Sequence, residues 1–99
     1  MSTLTNVLQK EFDRLEVQKI NCEQKLRNLP RGYISKKNIR GNISYYLQYR
    51  ENGKIVSKYI PRDHLVKIEG QITERKELEH TLKIVKCEQK RLEKVMIFD

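Results

Sequence analysis

The sequence predicts an α+β fold, in which a long helix, a three-stranded antiparallel β-meander and a second long helix form one domain of 99 residues. Apolar residues recur at helical spacing over residues 3–29 and again over 61–96. Between them, residues 30–60 hold three runs rich in tyrosine and isoleucine, separated by turn residues. We therefore expect an antiparallel helical hairpin with a β-sheet at its tip, in which Cys22 lies near Gly70.

The first helix carries one apolar stripe and ends at a proline. The residue before a proline disfavours helical backbone, so Pro30 closes the helix at Leu29. Heptad positions a and d then form a single face that packs against another helix. The a positions are Thr5, Phe12, Lys19 and Leu26, and the d positions are Leu8, Leu15, Cys22 and Leu29.

The middle third predicts strands over residues 33–39, 43–50 and 55–60. Asn52 and Gly53 both accept the positive φ of a type I′ turn, which is the strongest short hairpin signal in the chain. This turn sets Tyr46 opposite Tyr59, Gln48 opposite Ser57 and Arg50 opposite Ile55. One face is expected to pack on the helices with Ile34, Ile43, Tyr45, Leu47, Tyr49, Val56 and Ile60. The other carries Tyr33, Ser35, Lys37, Ile39, Ser44, Tyr46, Gln48, Arg50, Ile55, Ser57 and Tyr59.

The second helix is expected to begin at Pro61, with Asp63 in its first turn. Its stripe changes register between Arg75 and Leu78, a slip of three residues. Gly70 costs ~1 kcal/mol inside a helix, so we expect a neighbour to pack closely against it. The helix seam, or the interface of a homodimer, is predicted to use Leu8, Phe12, Leu15, Leu78, Leu82, Val85 and Leu92.

Positive charge is concentrated in the predicted sheet. Residues 31–62 hold eight basic side chains and one acidic one, a net +7 of the chain's +8, while both flanks are nearly neutral. A basic surface attracts phosphate or an acidic protein patch. We expect phosphate contacts from Lys36, Lys37, Arg40, Arg50, Lys54 and Lys58, and stacking on bases from Tyr33, Tyr46 and Tyr59.

Other classes of function have little support in the sequence. No nucleophile elbow, glycine-rich phosphate loop or paired carboxylates are present, so we expect no enzyme and no cofactor. No apolar run is long enough to span a bilayer and no signal peptide is recognisable, so a cytoplasmic protein with free thiols is expected. Cys22, Cys87, His64 and His80 are too widely spaced for one intramolecular four-ligand metal site, although a site between two subunits, or one that uses His64 with nearby carboxylates, stays open.

The run from Leu29 to Glu79 contains the segments YYLQYRENGK and SKYIP followed by a charged helix. In these features it resembles a family of small uncharacterised bacterial and mobile-element proteins, a resemblance that implies no activity. The hairpin is also similar to the three-stranded arm-site DNA-binding domains of phage integrases, in which a sheet enters a DNA groove. In size and genre the chain resembles anti-CRISPR proteins, which inhibit a host nuclease by binding it.

The leading hypothesis is a non-enzymatic, dimeric nucleic-acid-binding protein of mobile-element type that uses its basic, tyrosine-bearing sheet. The first alternative is an inhibitor that docks on a host defence nucleoprotein such as a CRISPR nuclease. The second is a coiled-coil adaptor, whose helices would be its functional surface. The leading hypothesis and the first alternative depend on whether Lys37, Tyr46, Arg50 and Tyr59 lie open to solvent, whereas the adaptor does not.

Overall fold

The computed structural model describes residues 3–97, which form two long helices and a three-stranded antiparallel sheet, confirming the predicted α+β fold. The elements are α1 (Thr3–Arg27), β1 (Tyr33–Ile39), β2 (Asn42–Glu51), β3 (Lys54–Ile60) and α2 (Arg62–Ile97). The strands are hydrogen-bonded in the order β1-β2-β3, so the meander is also confirmed. No helix within residues 3–97 has both the length and the apolar character to cross a bilayer.

The helix ends follow local chemistry closely. Helix α1 ends two residues before the predicted Leu29, where the Asn28 N–H donates to the Lys25 carbonyl over 3.2 Å in a tightened last turn. Lys25 and Arg27 lie in this turn, where positive charge favours the helix dipole. Helix α2 begins one residue after Pro61, and Asp63 lies in its first turn as predicted.

The described residues divide into two compact units. The helical unit holds residues 3–28 and 77–97, and the sheet unit holds residues 29–76. Helix α2 therefore contributes its first part to the sheet unit and its second part to the helical unit. The slip in register predicted between Arg75 and Leu78 falls beside the boundary between the units, and it stays a prediction.

The predicted apolar stripes pack against each other in the helical unit. Leu15, Cys22 and Val85 are buried, and the remaining residues of the predicted seam, Leu8, Phe12, Leu78, Leu82 and Leu92, are half-buried. Gln89 is also buried, and its Nε2 donates to Glu16 Oε2 over 2.7 Å. This bond satisfies a polar group that would be costly to bury alone.

A contact between α1 and the second part of α2 shows which residue lies at the same level as Cys22 in the helical unit. The Glu16–Gln89 contact fixes the level of two antiparallel helices that rise equally per residue. Cys22 follows Glu16 by as many residues as Lys83 precedes Gln89, so Cys22 lies level with Lys83. Gly70, the neighbour expected from the sequence, belongs to the sheet unit.

On the outer surface of α1, Arg14 and Glu11 form a two-point ion pair. Arg14 Nε and Nη2 donate to the Glu11 carboxylate over 3.0 and 2.5 Å. The hydrogen bonds from Arg14 lower the pKa of the Glu11 carboxyl and raise the pKa of the guanidinium. Both side chains are exposed, so the pair contributes little to stability.

The sheet unit has a thin core. Ile60 at the end of β3 is 2% exposed, and Ile72 of α2 is also buried. Arg75 Nη1 donates to the Leu29 carbonyl over 3.0 Å and so ties this part of α2 to the segment that precedes β1. Half-buried side chains make up the rest of the packing.

Gly70 does not have the closely packed neighbour that the sequence predicts. It lies in α2, it is exposed, and a Cβ added there would meet nothing within 4 Å. The expectation of a closely packed neighbour was therefore wrong. Gly32 is the glycine that the packing requires. It has a φ of +108°, and a Cβ there would collide with the Gln48 carbonyl oxygen.

Candidate nucleic-acid interface

Two tight turns set the register of the sheet. Asn52 and Gly53 have φ values of 53° and 78°, as the type I′ turn requires. Arg40 and Gly41, with φ values of 53° and 83°, form a second two-residue connection between β1 and β2. Arg40 thus lies at the tip of a turn, in a left-handed conformation that few residues other than glycine adopt.

The resulting register confirms the predicted pairs. Tyr46 lies opposite Tyr59, Gln48 opposite Ser57, and Arg50 opposite Ile55. Strand β1 adds Tyr33 opposite Gln48, Ser35 opposite Tyr46, and Lys37 opposite Ser44. Because side chains alternate along each strand, these residues share one surface, which we call the tyrosine face. Its members are Tyr33, Ser35, Lys37, Ile39, Asn42, Ser44, Tyr46, Gln48, Arg50, Ile55, Ser57 and Tyr59.

The tyrosine face is accessible to a ligand. Tyr59 is 60% exposed and Tyr33 is 55% exposed, while Lys37 and Arg50 are exposed and Tyr46 is half-buried. These values meet the condition on which the sequence hypothesis depended, that the cationic, tyrosine-bearing surface be open to solvent. No member of this face is acidic, so no carboxylate there opposes the approach of phosphate.

Contacts within the tyrosine face order several of its side chains. The Lys37 ammonium lies 4.7 Å from the centre of the Tyr46 ring, and Tyr46 meets Tyr59 edge-on with ring centres 5.8 Å apart. Gln48 Nε2 donates to Ser57 Oγ over 3.1 Å. The contacts of Lys37 and Tyr59 involve only part of each side chain, and both remain exposed.

The nine predicted contact residues do not form one surface. Lys36, Lys54 and Lys58 pair with Tyr45, Glu51 and Leu47 across the strands, which puts these lysines on the face opposite the tyrosine face. Alternation of side chains along a strand is the reason, since neighbours such as Lys36 and Lys37 must point to opposite sides. Of the six predicted phosphate contacts, only Lys37 and Arg50 lie on the tyrosine face, with Arg40 at the adjoining turn.

A second aromatic and cationic group, absent from the sequence predictions, lies on that opposite face. The Arg31 guanidinium lies 5.4 Å and the Lys58 ammonium 5.7 Å from the centre of the half-buried Tyr49 ring. Gly32 packs directly against Tyr49 and Gln48, which explains how Arg31 reaches this ring. The five tyrosines are thus divided between the two faces, three on the tyrosine face and two opposite.

Within the sheet unit a cleft opens between the start of β1 and α2. Tyr33 and Ile34 line it from the strand, and the helix contributes Glu69, Ile72, Thr73 and Lys76. The sequence predictions did not assign these helical residues to a site, although their spacing places them on one side of a helix. Tyr33 belongs both to this cleft and to the tyrosine face.

The potential metal ligands do not converge. Cys22 is buried and Cys87 is exposed, and both are free thiols. His64 and His80 are exposed positions of α2, in different units. Within residues 3–97, no three histidine, cysteine, aspartate or glutamate side chains lie close enough together to hold a metal ion.

Comparison with known proteins places the chain in a family. Residues 8–70 match a family described as a domain of unknown function, DUF6788. The chain belongs to this family. The matched segment covers most of α1, the whole sheet and the start of α2, and so includes the complete tyrosine face. No curated protein and no solved structure matches the chain.

Proposed function

We propose that this chain is a non-enzymatic protein that binds nucleic acid through the tyrosine face. The observation that carries the proposal is the exposure of Tyr33 and Tyr59 on a surface that also holds Lys37 and Arg50 and no carboxylate. Aromatic rings stack on bases, and cations neutralise phosphates. Together these two contacts are the usual basis of binding to single strands.

Ring exposure favours single-stranded over double-stranded nucleic acid as the ligand. Bases in a duplex already stack on one another, whereas bases in a single strand are free to stack on protein rings. Tyr33 lies on β1 and Tyr59 on β3, on either side of the central strand. A nucleic-acid strand that crosses the sheet therefore meets an exposed ring on each outer β-strand, and Lys37 and Arg50 are available to its phosphates.

The charge distribution favours phosphate over a neutral partner. Residues 31–62 carry a net +7, and residues 63–99 carry equal numbers of acidic and basic side chains. Solubility alone does not require this segregation, because cations spread over the chain would serve it equally well. The concentrated charge would accelerate association with nucleic acid at low salt and weaken as salt screens it.

The test is fluorescence anisotropy with labelled single-stranded DNA, single-stranded RNA and duplex DNA at low salt. Tyr59→Leu removes the ring, and Tyr59→Phe, the matched control, retains it. If one base stacks on this ring, Tyr59→Leu weakens binding by about 1–3 kcal/mol, while Tyr59→Phe binds nearly as the unmodified chain does. Tyr33→Leu repeats the test at a ring outside the Tyr46–Tyr59 pair, so that loss of this pair cannot explain both results.

Two outcomes contradict the proposal. One is the absence of affinity for DNA and RNA at low salt. The other is binding that neither Tyr59→Leu nor Tyr33→Leu weakens, which would move the contact away from the tyrosine face. If the chain prefers duplex to single-stranded nucleic acid, the tyrosine face would still be the contact surface. It would then bind by inserting into the major groove, which admits a β-ribbon, and not by stacking on bases.

A further inference from the structure

The cleft between β1 and α2 combines an apolar floor with polar walls. Its volume is about 420 Å³, within the range of small-molecule sites. Ile72 is buried and Ile34 is half-buried, so they provide the apolar surface. Glu69, Thr73 and Lys76 are exposed residues of α2 that contribute a carboxylate, a hydroxyl and an ammonium group along one side of the helix.

Glu69 is the most informative residue of the cleft. Its carboxylate takes part in no ion pair or hydrogen bond within residues 3–97. An ionised carboxylate only accepts hydrogen bonds, and it does so most strongly from two parallel donors. A ligand that binds Glu69 in this cleft has to present N–H donors toward α2 and a flat or apolar body toward Tyr33, Ile34 and Ile72.

We propose that this cleft takes one unstacked guanine base of a bound single strand, an inference that rests on the proposed function. Tyr33 connects the two sites because it lies on the tyrosine face and also lines the cleft. A base next to the bases that stack on the tyrosine face can therefore turn into the cleft. There its ring packs against Tyr33, Ile34 and Ile72. The Lys76 ammonium group at the edge of the cleft then attracts a neighbouring phosphate of the bound nucleic acid.

Guanine is favoured by its pattern of hydrogen-bond donors. Its Watson–Crick edge presents two adjacent donors, N1–H and the N2 amino group, to the two oxygens of one carboxylate. Adenine and cytosine present one amino donor beside an acceptor nitrogen, and uracil and thymine place a carbonyl oxygen on each side of their single donor. Each of these acceptors would face a negative carboxylate, which disfavours the base.

The experiment measures how well the chain discriminates one base. Single-stranded pyrimidine oligonucleotides carry guanine, adenine, cytosine or inosine at one central position, and the dissociation constants are compared. We expect guanine to bind at least about fivefold tighter than adenine, as for a bidentate base contact. Inosine, which lacks the N2 amino group, should lose most of this advantage.

Glu69→Gln should reduce the guanine preference, and Glu74→Gln is the matched control. Both substitutions remove one negative charge from exposed positions of α2, but Glu74 does not line the cleft. Either variant raises general affinity by making the chain more basic, so the readout is the guanine-to-adenine ratio. That ratio should fall toward one in Glu69→Gln and remain unchanged in Glu74→Gln.

The outcomes separate this inference from the proposed function. Binding without base preference overturns the guanine site and leaves nucleic-acid binding by the tyrosine face intact. A guanine preference that persists in Glu69→Gln, or disappears equally in Glu74→Gln, also overturns the site. If no oligonucleotide binds, both the guanine site and the proposed function are wrong.

Discussion

If the tyrosine face is the contact surface, neutralising its two cations should change how binding depends on salt. The perturbation is the double variant Lys37→Gln and Arg50→Gln. The control is the double variant Lys36→Gln and Lys58→Gln on the opposite face of the sheet. Each variant lowers the net charge from +8 to +6, so the long-range attraction to phosphate falls equally in both.

The two variants are also matched in their internal contacts. Lys37 lies 4.7 Å from the Tyr46 ring and Lys58 lies 5.7 Å from the Tyr49 ring. An exposed cation–π contact contributes ~0.5–1 kcal/mol, so each variant loses one contact of similar strength. Any difference in nucleic-acid binding then arises from the face on which the charges lie and not from stability.

The expected magnitude follows from counterion release. For single strands, the slope of log K against log salt falls by about 0.7 for each phosphate contact that is removed. Loss of the contacts made by Lys37 and Arg50 should make the slope shallower by about 1.4. When salt rises from about 50 to about 200 mM, both proteins lose affinity, and the factor lost by the variant should be about seven times smaller than the factor lost by the unmodified chain.

The assay is a salt titration followed by fluorescence anisotropy, with all three proteins measured on one oligonucleotide. The control variant should keep the slope of the unmodified chain while its affinity falls modestly at every salt concentration. Equal slope changes in both double variants would contradict a contact limited to the tyrosine face, because they would show that the two faces contribute alike. An unchanged slope for the Lys37 and Arg50 variant would refute it as well.

Three further predictions concern stability. Gly70→Ala should stabilise the chain by about 0.5–1 kcal/mol, since nothing within 4 Å opposes the added methyl group. In thermal unfolding this gain should raise Tm by several degrees. A lower Tm would show that a neighbour packs against Gly70. Gly32→Ala should lower Tm markedly, since its φ is +108° and its Cβ would strike the Gln48 carbonyl; unchanged Tm would contradict this account. Glu16→Ala should cost about 1–3 kcal/mol by leaving the buried Gln89 amide without its acceptor. Adding Gln89→Leu should recover much of that loss in denaturant unfolding, and an equally unstable double variant would argue against it.

Much of the candidate site could be predicted from local patterns. The Asn52-Gly53 turn fixes the pairing of β2 with β3, and alternation of side chains then assigns Tyr46, Arg50 and Tyr59 to one face. The same alternation separates Lys36 from Lys37, which a count of basic residues does not show. The hypothesis also required Lys37, Tyr46, Arg50 and Tyr59 to be open to solvent, and only the packing of the sheet unit shows that three of them are exposed and Tyr46 is half-buried.

Other parts of the site could not be found in this way. The cleft joins Tyr33 to Glu69 and Thr73, which are distant in sequence and carry no motif. The positions of Arg31 and Lys58 beside Tyr49 depend on a close approach at Gly32. Contacts of this kind arise from the way separate elements meet, and a periodic pattern within one element does not encode them.

Local patterns in the sequence were enough to predict the order of helices and strands, the hairpin turn and the two faces of the sheet, because each depends on backbone preferences or on the repeat of neighbouring side chains. Tertiary structure alone decided how α2 is divided. Its first part belongs to the sheet unit and its second part to the helical unit. Within the helical unit Cys22 lies level with Lys83, and within the sheet unit a Cβ added at Gly70 would meet nothing within 4 Å. Neither fact follows from the pattern of one helix, since the partner of a helix depends on which apolar surface lies closest after folding.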